Sequence, residues 1–290
     1  MRSKLIITVG VIVSMLFLST GIGFSQEKVG GSQWTQIVEQ MGDKGKINWS
    51  EGYIEAVGIG APPERYIGKP QARPMALRAA KIDAYRNLLE TTKGVRIDSS
   101  TVVKDFAVEN DVINTQVEGL VKGAKLVNQD YLSDGTVEVT LRMPMAGGFA
   151  QVIIPKALER KPELAPPAPP APPAPSGDVF TGMVVDARGI QARPAMAPKI
   201  LDENGKEVYG SMNVDKEFAV QQGMSGYARD LTAAQSNPRV TNNPISVKGV
   251  KTEGPGKSNI VISNADADKI RGAADNMTFL KKCRVMIVLD

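Results

Sequence analysis

The segment Thr136–Met143, TVEVTLRM, places Val137, Val139, Leu141 and Met143 on one face and polar residues on the other. That period of two predicts a half-buried strand. The preceding run, AKLVNQDYL, is its expected partner, because Ser133-Asp134-Gly135 lies between them and Asp-Gly is a strong hairpin signal. Lys46–Gly60, KINWSEGYIEAVGIG, reads as a further strand, with Tyr53 and Val57 alternating with Ile54 and Ala56. From Pro74 to Lys93 the period changes. Leu77, Ala80, Ala84 and Leu88 form one helical stripe, with Arg78, Lys81 and Arg86 off it. Pro74 suits a first helical turn and Lys93-Gly94 a last one. The small Ala80 and Ala84 allow the helix to sit close on a sheet. VRIDSSTVVKDF is expected to return as strand and turn, and ENDVINTQVEGL as a short helix capped by Asn110 or Asp111. These elements predict a two-layer α+β domain.

The C-terminal part repeats the class without repeating the order. Phe180–Asp186 is strand-like, and Ile200-Leu201 and Val208-Tyr209 flank the turn Asp202–Gly205 as a hairpin. Phe218–Gln235 has helical composition interrupted by Gly223 and Gly226, which predicts two short helices or one kinked one. Ile245–Val250 and Ile260–Ile262 are strands around a Gly-Pro-Gly loop, and Ser263-Asn264 caps a helix from Ala265 to Ala274. The closing run CRVMIVL is almost wholly apolar, as a strand covered on both faces would be.

Between the halves, the Ala-Pro-Pro repeat of Arg160–Asp178 can form neither helix nor ladder, since proline removes donors and fixes φ. It reads as a polyproline II spacer or a docking peptide for a partner domain. The expected organisation is a signal peptide at 1–25, a flexible leader at 26–45, an α+β domain at 46–158, the linker at 159–177 and a second α+β domain at 178–290. Each domain is expected to be a small, mostly antiparallel sheet with helices on one face. Gln-Ala-Arg-Pro occurs at Gln71–Pro74 and again at Gln191–Pro194. The flanks argue against a duplication. The first copy runs into the long amphipathic helix, whereas Pro198 follows the second and predicts an extended loop.

Charge and composition narrow the function classes. Arg2 and Lys4 precede an apolar run from Leu5 to Phe24, with small residues at Gly23 and Ser25, the three-part pattern of a secretory leader. Retention of that run as a membrane anchor is the alternative. Net charge is +4, and removal of Arg2 and Lys4 lowers it to +2. No basic run carries interleaved aromatics, so no nucleic-acid partner is expected. The absence of histidine removes Ser-His-Asp and Cys-His machinery and His-ligated zinc or haem. Cys283 is the sole cysteine, so no internal disulfide can form, and its apolar context makes it a small core residue.

The runs Ala72–Thr101 and Val117–Met143 together resemble a family of bacterial envelope proteins. That family includes the twenty-kilodalton outer-membrane lipoprotein and the N-terminal domain of flagellar assembly protein T. Gly94-Val95, Gly119, Gly123-Ala124 and Asp134-Gly135 stand where the family carries its structural glycines and hairpin. The resemblance covers about Lys46–Pro155. It implies an accessory role in the periplasm or at the outer membrane, in some members around the flagellar basal body, with other envelope proteins or a second copy as partners. It implies no catalytic residue. The lipoprotein members carry a cysteine after the leader, which this chain lacks, so no lipid anchor is expected.

Three clusters invite chemistry. Asp186, Arg188 and Arg193 lie near a strand end and offer either a local Asp–Arg pair or an anion contact. NADADKIRGAAD sets Asn264, Asp266, Asp268 and Asp275 at calcium-loop spacing, but Lys269 replaces the required glycine and the segment reads better as a capped helix. Glu51 and Glu55 flank Tyr53 and read as a solvated face. Met143, Met145, Met183 and Met196 read as core filling rather than metal ligands. The expected function is therefore a non-catalytic, cofactor-free envelope assembly or scaffold protein in the periplasm or on the periplasmic face of the outer membrane. The alternative is a periplasmic binding protein for an anionic glycan or cell-wall fragment, held by Arg188 and Arg193.

Overall fold

The computed structural model describes residues 36–159, 179–272 and 276–290. The secretory-leader pattern at 1–25 and the Ala/Pro-rich repeat from 160 on lie outside the described residues. The described residues form one compact unit with two sheets.

The first sheet contains β1 (Val38–Met41), β2 (Gly45–Asn48), β3 (Tyr53–Gly60), β4 (Lys125–Tyr131) and β5 (Val137–Pro144). Its order is β1-β2-β3-β5-β4, and every pair is antiparallel. The strand expected over Lys46–Gly60 is thus a hairpin, turning through Gly52 at φ +69°. The leader assignment for 26–45 needs correction at its end. Val38–Met41 is an edge strand, turned into β2 by Gly42 at φ +64°.

On β5 the even alternation holds, with Val137, Val139, Leu141 and Met143 buried and the residues between them only partly so. The buried face carries α1 (Ala72–Lys93), whose inward residues include Ala76, Ala80, Ala84 and Leu88. Full burial of a side chain such as Leu88 stabilises by about 2 kcal/mol. The approach is close. A Cβ on Gly58 would lie 2.1 Å from the Ala84 nitrogen, and one on Gly60 would lie 2.3 Å from the Ala76 carbonyl oxygen. Alanines on the helix and glycines on the strand are one device: together they let two backbones meet.

The segment expected as strand and turn contributes a single bridge, Arg96 to Val102, and then α2 (Val103–Glu109). Helix α3 (Asp111–Lys122) follows, with the Asn110 side chain accepting from the amides of Val112 and Ile113. Helix α4 (Gly148–Glu159) closes the first lobe.

The second lobe contains, in chain order, β6 (Gly182–Asp186), β7 (Lys199–Leu201), β8 (Glu207–Tyr209), α5 (Lys216–Gln222), β9 (Gly226–Ala228) and α6 (Leu231–Gln235). There follow β10 (Pro244–Glu253), β11 (Asn259–Ile262), α7 (Asn264–Arg271), α8 (Asn276–Lys281) and β12 (Val285–Val288). Of the two alternatives for Phe218–Gln235, the chain takes two short helices, with the strand β9 between them. The sheet order is β8-β7-β11-β10-β6-β12-β9.

The α+β class is correct for both lobes, but the second sheet is not mostly antiparallel. β6 pairs in parallel with β10 and β12, β12 with β9, and β11 with β7. Nor do helices keep to one face. Val184, Met286 and Val288 pack with Ala234 of α6, whereas Met183, Val185, Val285 and Ile287 join the main core with Phe279 and Leu280 of α8. Parallel neighbours need crossover connections, and these carry helices to both faces. The near-continuous apolar run of β12 is the sequence mark of that double cover.

Candidate functional site

The residues proposed for anion contact are placed apart in their bonding. Asp186 ends β6, and Arg188 folds back on it with two parallel bonds, Nε to Oδ1 and Nη2 to Oδ2, both 2.7 Å. The Arg188 side chain beside Asp186 holds that carboxyl below its usual range. Arg193 turns elsewhere, to Glu39 of β1 at 2.5 Å. The local pair is the reading the geometry carries at Asp186. Arg193 belongs to a junction that crosses the two lobes.

Glu39 is the centre of that junction. It accepts from Arg96 at 3.0 Å, Arg193 at 2.5 Å and the Trp49 indole N–H at 3.1 Å. Burial works to raise its pKa, but the two guanidiniums and the indole outweigh it and hold the carboxyl below the usual value. Arg96 also donates to the Pro194 carbonyl at 2.5 Å. The main chains continue the link. Met196 donates to the Arg96 carbonyl at 3.0 Å and Ala197 to the Ile97 carbonyl at 2.7 Å. Gly256 donates to the Ser99 carbonyl at 2.6 Å.

The apolar side of the junction is a shared core. Trp49 meets Tyr227 edge to face, with ring centroids 5.9 Å apart. The Tyr227 hydroxyl donates to the Ala195 carbonyl and accepts from the Ala195 amide, and burial pushes its pKa up to about 12. A cavity of 70 Å³ remains between the lobes, lined by Trp49, Met145, Ile154, Met196, Met224 and Tyr227 among others. That is well below the roughly 300–1,000 Å³ of small-molecule sites.

Several other ionic groups are also paired within the fold. Glu55 is not a solvated surface group: it is 3% exposed, with one oxygen on Lys46 at 2.8 Å and the other on Arg142 at 2.5 Å. The strand neighbour that buries it is Arg142, which also lies 3.9 Å from the Tyr53 ring centre. Glu51 instead accepts from Gln36. Asp202, buried in the β7–β8 turn, binds Arg271 at 2.8 Å. The calcium-spaced segment is α7, capped by Ser263, whose hydroxyl accepts from the Asp266 amide and donates to its carboxylate. Asp275 lies outside the described residues. Among the described residues no group of three or more acids and cysteines is arranged to hold a metal. Cys283 is buried as expected, and burial raises its thiol pKa.

The Glu39–Arg96–Arg193 junction is not legible in the sequence, because its members are 57 and 154 residues apart. A second group is partly local. Lys281-Lys282-Cys283-Arg284 precedes the last strand, and its Lys282 and Arg284 line one pocket with Arg239.

Residues 182–290 match a family model described as the second domain of Treponema pallidum Tp0624. The match begins at the first residue of β6 and spans the whole seven-stranded lobe. A search of curated proteins returns no match.

Proposed function

We propose that this chain is a non-catalytic, exported envelope assembly or scaffold protein whose two lobes act as one rigid body. The observation that carries the reading is the Glu39–Arg96–Arg193 junction. Of the charged residues that stood out as candidates for chemistry, Arg193 serves instead to fix one lobe to the other, together with Glu39 and Arg96. A scaffold must hold a fixed geometry between its surfaces. A polar junction backed by a shared apolar core does that. The leader-like N-terminal sequence and the resemblance of the first lobe support an envelope location and an association with other envelope components, the flagellar basal body among them. No helix among the described residues is long and apolar enough to cross a membrane.

The rival reading, a glycan site at Arg188 and Arg193, has its two cations bonded to different carboxylates. The test is a chromosomal deletion complemented by wild type or by Arg96→Ala. A deletion defect in envelope integrity or basal-body structure, restored by wild type but not by Arg96→Ala, supports the scaffold. An unaltered envelope and basal body in the deletion strain overturns it.

A further inference from the structure

The second lobe carries a pocket of about 380 Å³ lined by Phe218, Gln221 and Gln222 of α5, by Pro238 and Arg239, and by Lys282 and Arg284 beside β12. That volume lies within the range of small-ligand sites. Three of its seven lining residues are cationic and none is acidic. The Glu39, Glu55 and Asp202 clusters, by contrast, each pair a carboxylate with a cation. Among the described residues, no carboxylate lies within ion-pair distance of Arg239, Lys282 or Arg284.

Arg239 is the fixed member. Its Nη1 donates to the carbonyls of Cys283 at 2.9 Å and Gly223 at 3.1 Å, and its Nη2 donates to the Gln222 carbonyl. These bonds hold the guanidinium against the C-terminal end of α5 and leave its charge without an anionic partner. A cation at a helix C-terminus is stabilised by the dipole, so Arg239 alone is explained by the fold. Lys282 and Arg284 are not. Both are half-buried and set like charges around the same pocket as Arg239. Like charges gathered in a partly desolvated pocket repel, and an anion there removes the repulsion. The Gln222 side chain bonds to the Lys282 carbonyl at 2.7 Å, which ties the two walls together. Phe218, 37% exposed, gives one wall an apolar surface.

We propose that this pocket is a binding site for an anionic oxygen group, phosphate or carboxylate, carried on a small body such as a sugar ring that covers Phe218. Arg239 forms the fixed cationic wall, Lys282 and Arg284 close on the anion, and Gln221 supplies a neutral polar contact. The site is independent of the junction between the lobes, so its failure would leave the scaffold reading untouched.

The experiment is calorimetric titration of the full chain with inorganic phosphate, glucose 1-phosphate, glucuronate and glucose at low salt. Expected is saturable binding of at least one anionic sugar, tighter than inorganic phosphate, with none for glucose. The phosphate and carboxylate sugars identify which anion the site takes. A Lys282→Gln/Arg284→Gln double variant should bind at least about tenfold more weakly, since two charge-assisted contacts are lost. Its circular dichroism should match wild type. If that variant does not fold, the single variant Arg284→Gln replaces it, with a smaller loss expected. No binding by any anionic probe, or equal binding by wild type and a folded variant, overturns the proposal.

Discussion

On β5 of the five-stranded sheet, Leu141 is buried while its neighbour Thr140 is half-buried. On β12 of the seven-stranded sheet, Met286 and Ile287 are adjacent and both buried. The first sheet places α1 on one face and leaves Lys46, Glu55 and Arg142 paired across the other. The second carries α6 on one side and α8 on the other. Antiparallel hairpins return directly, so one face can stay polar. Parallel pairs return through crossovers that cover both. The difference therefore follows the connection, and the make-up of each strand matches it.

The sharpest way to break the first sheet is at its closest approach. Gly58→Val would drive a side chain into the Ala80–Ala84 backbone and is expected to cost about 4 kcal/mol. Urea denaturation checks it. A loss below 1 kcal/mol would mean that α1 can lift at little cost.

Paired truncations compare the sheets directly. Met286→Ala and Ile287→Ala should each cost about 3 kcal/mol, because each lies in a core, though on opposite faces. On β5 only Leu141→Ala should cost as much, with Thr140→Ala within about 0.5 kcal/mol. Equal costs at Leu141 and Thr140 would remove the contrast.

The coupling between lobes should be weaker than either core. Arg96→Ala is expected to cost about 2 kcal/mol, since it removes bonds to Glu39 and to the Pro194 carbonyl. In a Trp34→Phe background, unfolding followed by Trp49 fluorescence should then separate from unfolding followed by circular dichroism. Coincident curves would show that the apolar contacts alone couple the lobes.

Acid should act in the same direction with a smaller effect. Glu39 has a depressed folded-state pKa, so its ionised form stabilises the fold. That contribution is complete above its unfolded value near 4.5 and is lost as pH falls through the lower folded value. Below about pH 4.5 the melting temperature of wild type should therefore approach that of Glu39→Gln. A constant gap between the two down to pH 3 would contradict this.

The two Gln-Ala-Arg-Pro copies show how far local reading reaches. The first opens α1, as its uninterrupted helical flank predicts, and Arg73 lies 5.6 Å from the Tyr131 ring centre. The second is irregular chain, with Gln191 at φ +57° and Arg193 on Glu39. Their divergence was legible from Pro198 alone. The destination of Arg193 was not, because Glu39 stands in a four-residue edge strand, too short to show a period before the turn at Gly42. Of the candidate site, the Asp186–Arg188 pair was legible because two residues of separation suffice to close it. The basic pocket was half legible in Lys281-Lys282-Cys283-Arg284, but only folding brings Arg239 to it.

Sequence by itself determined what is decided within a few residues: the Asn110 and Ser263 caps, the Asp134-Gly135 and Asp202–Gly205 turns, the alternation of β5 and the apolar continuity of β12. Caps, turns and periodicity depend on backbone geometry and local burial, so they can be read without the partner. Tertiary structure alone decided which strands became neighbours, how the lobes were joined and which charges were left unpaired. Those outcomes depend on contacts between residues far apart in the chain, such as Arg193 with Glu39 and Arg239 with Cys283, whose closing cost is met only when the whole core forms.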